Sequence, residues 1–186
     1  GQACTASKRF IIVGDIYDEF LRRYTDAMSK IAPGDPTDAQ TTFGPLSSKA
    51  SVDDIAELVQ DAVSKGATAV TGGGAPNDSG AYYPATVLTG VTPEMRAYSE
   101  EIFGPAAVVY RADSPEAAVD LANDSPFGLS SSIYTADVEA ARQLAEQLET
   151  GMVWINSISR SAADLPFGGV KRSGVGRELA HYGINE

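Results

Sequence analysis

Apolar residues recur three to four apart at Tyr17, Phe20, Leu21, Tyr24, Met28 and Ile31, which predicts a helix over 15–31 with Asp15 as N-cap. The same period runs through Val52, Ile55, Leu58, Val59, Ala62 and Val63, predicting a helix over 51–65 closed by Gly66. A third helix is expected over 114–124, with Ser114 as N-cap and Pro115 at the first helical position. A fourth is expected over 136–150, ended by Gly151. Between them lie short apolar or β-branched runs at 9–14, 67–73, 82–91, 106–112, 128–135 and 152–156, all read as strands or extended chain. The glycine-rich tail from Pro166 ends in a brief helix. Strands alternating with helices of this length predict an α/β fold: a three-layer αβα domain built on a mainly parallel sheet. No repeat or low-complexity linker interrupts residues 1–186, so one domain is expected.

Composition narrows the partners. The 186 residues carry a formal net charge of -11, which argues against a nucleic-acid groove or an anionic membrane surface. No apolar run approaches the ~20 residues of a membrane span, and no signal-peptide pattern opens the chain. A cytoplasmic enzyme is the expectation. One cysteine and one histidine leave no disulfide framework and no Cys/His zinc site, so no metal is expected.

That cysteine, Cys4, stands in GQACTASKR among small residues. A lone cysteine is more often inert packing. Here a helix starting at Cys4 would favour the thiolate, Lys8 and Arg9 add positive charge, and the Cys4 amide could face an oxyanion. His181 has no acid placed to orient it and reads as a surface or capping residue. TGGG at 71–74 invites a phosphate-loop reading, but Pro76 and Asn77 break the required spacing, so a turn is expected. In SEEIFGP, Glu101 could accept hydrogen bonds from a hydroxyl pair while Phe103 packs a flat ring, as a nucleoside requires; an acidic helix end is the plainer alternative. In the tail, Lys171, Arg172 and Arg177 among glycines are either solvated loop charges or the lining of a mouth for an anion.

GQACTASKR, EEIFGP, GMVWIN and PFGGVKRSGVGRE, in this order, resemble the catalytic half of the aldehyde dehydrogenase superfamily across essentially the whole chain. The resemblance implies that Cys4 is the nucleophile, giving a thiohemiacetal and then a thioester. It implies that Glu101 holds the nicotinamide ribose of NAD or NADP, that Phe103 packs on the nicotinamide, and that Trp154 and Phe167 line the substrate side. It places the cofactor-binding domain, the general base and a C-terminal oligomerisation strand outside these residues. The 186 residues alone are therefore expected to be nearly inactive, as a monomer or dimer, within a homo-oligomeric full-length enzyme.

YDEFLRRY, YYPATVLTGV and LPFGGVKRSGVGREL are most similar to bacterial succinate-semialdehyde dehydrogenases. That likeness puts Ser161 where a serine holds the substrate carboxylate, with Arg160 or Arg172 as possible helpers. Thr5 and Ala6 follow Cys4, so the second cysteine that some members use as a redox lock is not there. Alternatives are a dehydrogenase for another aldehyde, a non-catalytic scaffold domain, or an acyl transferase pairing Cys4 with His181.

Overall fold

The computed structural model describes residues 1–74 and 80–185. They form two compact units, divided between Arg111 and Ala112. Pro76 and Asn77 lie outside the described residues.

The first unit is built on a four-stranded sheet in the order β1-β4-β3-β2. β1 is Arg9–Val13, β2 Thr68–Thr71, β3 Thr86–Thr89 and β4 Ala106–Ala112. β3 and β4 run parallel, Thr86 opposite Ala106 through Thr89 opposite Val109. β2 runs antiparallel to β3, with an irregularity between Ala69 and Thr71. Six of the seven residues of β4 are buried, as expected of a strand covered on both faces. Helices α1 (Tyr17–Ser29) and α2 (Lys49–Ser64) both pack in this unit. The core joins Val52, Ile55, Leu58, Val59 and Ala62 of α2 to Val87, Leu88, Val108, Val109, Tyr83 and Ile102.

Local chemistry explains the element ends. Ser48 caps α2 by accepting from the Ser51 amide at 3.1 Å, and Gly66 follows at a φ of 109°. Val63, expected on the buried stripe, sits at its edge and is 43% exposed. α1 begins later than expected. Gly14, at a φ of 58°, turns the chain into a 3-10 turn over Gly14–Ile16 that absorbs Asp15, and no side chain caps the helix. α1 carries Phe20 and Tyr24 against Phe10 of β1, with centroids 4.7 Å apart for Phe10–Tyr24. A four-residue helix, α3 (Arg96–Ser99), precedes β4. Gly72 and Gly73 both have positive φ, and the Gly73 amide donates to Thr86 Oγ1 at 3.0 Å, as suits the expected turn.

The second unit contains α4 (Pro115–Asn123) and α5 (Val138–Ala145), which pack together, and two small sheets. Ser114 caps α4 through the Ala117 amide at 3.1 Å, as the sequence predicts. Asp137 caps α5. α5 stops five residues short of the expected end: the Gln147 and Leu148 amides tighten onto the Leu144 and Ala145 carbonyls three residues back, and the Glu149 amide donates to Asn123 Oδ1 at 2.8 Å. The run 128–135 divides into β5 (Phe127–Gly128) and β6 (Ser130–Ile133). β6 pairs parallel with β7 (Met152–Ile155), and β5 antiparallel with β8 (Val170–Lys171). A last turn of helix, α6, is Tyr182–Asn185. The α/β class is thus borne out, with pairings of both directions.

Ile55 is 2% exposed at the centre of the first unit. Ile55→Ala is expected to destabilise the protein by about 2–5 kcal/mol, read from the shift of its denaturant midpoint. Burial among Phe10 and Phe20 raises the Tyr24 phenol to about 12 from an ordinary value of 10.0. The folded form holds that proton more tightly than the unfolded one, so this stability is complete below pH 10 and is lost as pH rises through about 12. Ultraviolet titration of native against Tyr24→Phe protein, followed alongside unfolding, is expected to show it.

Candidate active site

The segment around Cys4 is a turn in which the Ala6 amide donates to the Ala3 carbonyl at 3.0 Å. No helix starts there, so the expected support of the thiolate by a helix dipole is absent. The thiol is free and exposed. The turn is tied at both ends. Gln2 Oε1 accepts from the Ser47 amide at 2.7 Å, and the Lys8 carbonyl accepts from the Val108 amide of β4 at 2.8 Å.

Its third tie is steric. A Cβ on Gly1 would lie 2.0 Å from the Gly104 carbonyl oxygen, and one on Gly104 would lie 2.0 Å from Ile55 Cδ1. Two residues without side chains therefore let the Cys4 segment lie directly on the end of the EEIFGP motif. These sequence-distant motifs meet in one unit.

Residues 101–105 belong to no helix or strand; burial alternates over 101–104, and the chain turns at Phe103, where the Gly104 amide donates to the Ile102 carbonyl at 3.1 Å. Ile102 points into the core at 2% exposure, whereas Glu101 and Phe103 are exposed on either side of it. The carboxylate and the ring meet at Lys8, whose ammonium stands 5.6 Å from the Phe103 centroid and close enough to feel the Glu101 charge. The acidic helix end is also there: α3 stops at Ser99, and Glu100 is its C-cap, its amide donating to the Arg96 carbonyl, before the chain runs on to β4.

The basic pair divides its work. The Arg9 guanidinium lies 5.6 Å from the Tyr98 ring and 5.4 Å from the Tyr110 ring, so it belongs to the packing beneath β4 rather than to the thiol. Lys8 goes the other way. Its ammonium donates to the Gly1 carbonyl and stands 5.6 Å from the centroid of Phe103. Burial lowers the Lys8 pKa, and the nearby Glu101 carboxylate opposes that shift. From the sequence, Lys8 is legible only as nearby positive charge. A lysine immediately before an apolar strand carries no signal of what its ammonium will meet.

A cleft of about 150 Å³ adjoins the turn, walled by Gly1, Ala6, Ser7, Tyr24, Met28 and residues 104–107. It is smaller than the ~300–1,000 Å³ of typical ligand pockets. The polar and aromatic groups that fit a nucleoside, Glu101 and Phe103, are on open surface.

The other candidates belong to the second unit. Trp154 is half-buried on β7 with its Nε1 buried and unpaired, and the Arg160 guanidinium lies 5.6 Å from its ring. Asn156, at a φ of 52°, closes that strand by accepting from the Thr135 amide and donating to the Thr135 carbonyl, both at 2.9 Å. Ser161 is exposed in the following loop, and Phe167 is half-buried in an antiparallel bridge to Glu178. His181 is exposed and lies against Tyr182, ring centroids 3.9 Å apart and tilted by 37°.

The tail's cations have structural partners. Lys171 Nζ donates to the Asn123 and Ser125 carbonyls and pairs with Glu149 at 2.7 Å. Arg172 lies over Phe127, and Arg177 donates to the Gly169 and Gly176 carbonyls. The glycines serve close packing: a Cβ on Gly151 would lie 2.0 Å from the Gly168 oxygen. The reading of this tail as a mouth for an anion gives way to that of a braced loop. Among the described residues, no cluster of His, Cys, Asp and Glu could hold a metal ion, and no helix is long and apolar enough to cross a membrane.

Similarity to known proteins agrees with the motifs. The chain is 55% identical over all its length to a succinate-semialdehyde dehydrogenase [NADP(+)] of Deinococcus radiodurans, covering 39% of that protein. It is 48% identical to succinate-semialdehyde dehydrogenase [NADP(+)] 1 of Mycobacterium ulcerans, covering 41% of it. Among solved structures it superposes with a TM-score of 0.94 on succinic semialdehyde dehydrogenase from Streptococcus pyogenes in complex with NADP+, at 41% identity over 99% of this chain and 40% of that one. Betaine aldehyde dehydrogenase from Staphylococcus aureus in complex with NAD+ superposes at a TM-score of 0.93 and 35% identity, over 99% of this chain and 37% of that one. The chain spans about two fifths of the length of these relatives. The model of the aldehyde dehydrogenase family matches residues 1–186, and with these identities the chain belongs to that family.

Proposed function

We propose that these residues are the nucleophile-bearing part of an NAD(P)-dependent aldehyde dehydrogenase that oxidises succinate semialdehyde to succinate. The observation that carries the reading is the contact of Gly1 on Gly104, which joins an exposed thiol to an exposed carboxylate-and-ring pair within one unit. The likeness to succinate-semialdehyde dehydrogenases supports the choice of substrate.

In this reading the Cys4 sulfur attacks the aldehyde carbon, a C–S bond forms, and the carbonyl π-electrons move to oxygen. The Cys4 amide is one donor to that oxyanion. Loss of hydride from this thiohemiacetal, to the acceptor that the cofactor supplies when bound, leaves a thioester, which water then cleaves to release the acid and the thiol. Glu101 and Phe103 fit a nicotinamide nucleoside: an exposed carboxylate accepts from ribose hydroxyls, and an exposed ring covers a flat apolar face. Trp154 and Phe167 are assigned to the substrate wall. Ser161 is assigned to the substrate carboxylate, which its hydroxyl can meet as a donor. The full-length enzyme is proposed to be a cytoplasmic homo-oligomer.

Two measurements on the full-length protein follow. Cys4→Ala is expected to lower kcat by at least ~1,000-fold and to abolish labelling at this position by iodoacetamide at neutral pH. Turnover that survives the substitution removes the nucleophile assignment. Ser161→Ala is expected to raise KM for succinate semialdehyde about tenfold while leaving butanal unchanged, since only the first substrate offers a carboxylate. Equal effects on both aldehydes would falsify the assigned role of Ser161.

A further inference from the structure

Lys8 has no part in the chemistry just described, yet it sits between the nucleophile turn and the carboxylate-and-ring pair. Its ammonium is held by the Gly1 carbonyl and stands 5.6 Å from the Phe103 centroid. Its backbone is fixed to β4, the Lys8 carbonyl accepting from the Val108 amide at 2.8 Å. It cannot swing away like a surface lysine without breaking the contact to Gly1. The same ammonium is close enough to Glu101 for the carboxylate to oppose the effect of burial on its pKa.

The chemistry of the proposed ligand gives this placement a consequence. An oxidised nicotinamide ring is cationic and a reduced one is neutral. Glu101 and the face of Phe103 both attract positive charge. By themselves they would hold the oxidised ring in preference to the reduced one. A lysine ammonium fixed over the same Phe103 acts in the opposite direction. It occupies some of the ring's capacity for a cation and offsets the carboxylate.

We propose that Lys8 is a positioning residue that sets the charge of the nicotinamide subsite, weakening the hold on the oxidised cofactor relative to the reduced one. The inference rests on the assignment of Glu101 and Phe103 to the nicotinamide nucleoside. It adds that the two redox states are discriminated by a cation on the nucleophile segment itself. The tie to Gly1 also couples that discrimination to the turn bearing Cys4.

The test is direct binding to the full-length protein at low ionic strength, with dissociation constants for NADP+ and NADPH measured separately by calorimetry. Lys8→Met removes the charge and keeps an apolar stem. Lys8→Gln removes the charge and keeps a donor for the Gly1 carbonyl. Both are expected to lower the ratio of the NADP+ to the NADPH dissociation constant about threefold or more, as loss of one nearby unit charge requires. Lys8→Arg, which retains the charge, is expected to stay within about twofold of the native ratio. A role limited to packing moves both constants together, so an unchanged ratio in Lys8→Met and Lys8→Gln overturns the inference. Phe103→Ala separates the two levels. If it weakens both cofactor forms while the Lys8 variants keep the native ratio, only the role of Lys8 fails. If it leaves both constants unchanged, the nicotinamide assignment fails and takes this inference with it.

Discussion

The candidate site depends on a contact between two backbones that lack side chains. Gly1 lies on the Gly104 carbonyl, and Gly104 lies on Ile55. Any Cβ at Gly1 would drive the cysteine-bearing segment off residues 104–105, because a carbonyl oxygen cannot be displaced as a flexible side chain can. Beneath it, Ile55 is nearly inaccessible and packed among the apolar residues of α2, β3 and β4. Close-packed cores transmit strain rather than absorb it. The position of the Cys4 turn is therefore set by the core through two short steps. The Gln2–Ser47 hydrogen bond and the attachment of Lys8 to β4 hold the turn laterally.

The helices and strands were legible where a local rule decides them. Ser114 and Pro115 start α4 as their chemistry dictates, and the buried stripe of α2 follows its 3.6-residue period. Legibility failed where a distant partner competes. The chain leaves α5 early, with Gln147 and Leu148 tightening to three-residue bonds and Asn123 taking the Glu149 amide. Gly14 provides a 3-10 turn in place of the expected Asp15 cap. The antiparallel pairings of β2 with β3 and β5 with β8 were not foreseen, since strand direction follows from how connections cross the unit.

The charges of the candidate site were harder to read than its apolar pattern. Lys8 and Arg9 are adjacent and chemically alike, yet one meets Phe103 and the other lies between Tyr98 and Tyr110. Neighbours on an extended backbone point to opposite faces, so two like charges in a row enter different environments. Lys171, Arg172 and Arg177 show the converse. Three cations beside glycines suggested an anion, but each is satisfied by carbonyls, by Glu149 or by an aromatic face within its own unit. A count of charges cannot distinguish a ligand from a carbonyl oxygen that the fold brings near.

The EEIFGP motif was the exception, and its geometry says why. Burial alternates over residues 101–104, and Ile102 is fixed into the core by its own apolar burial. With that one residue inward, its two neighbours Glu101 and Phe103 are left exposed on a chain that turns at Phe103, the Gly104 amide donating to the Ile102 carbonyl. No long-range hydrogen bond is needed to create the pair. A polar residue at 102 would release the register and scatter the carboxylate and the ring to unrelated directions, even with both side chains unchanged. The buried isoleucine, which touches no ligand in the proposed chemistry, thus determines whether the two exposed residues can act as a pair.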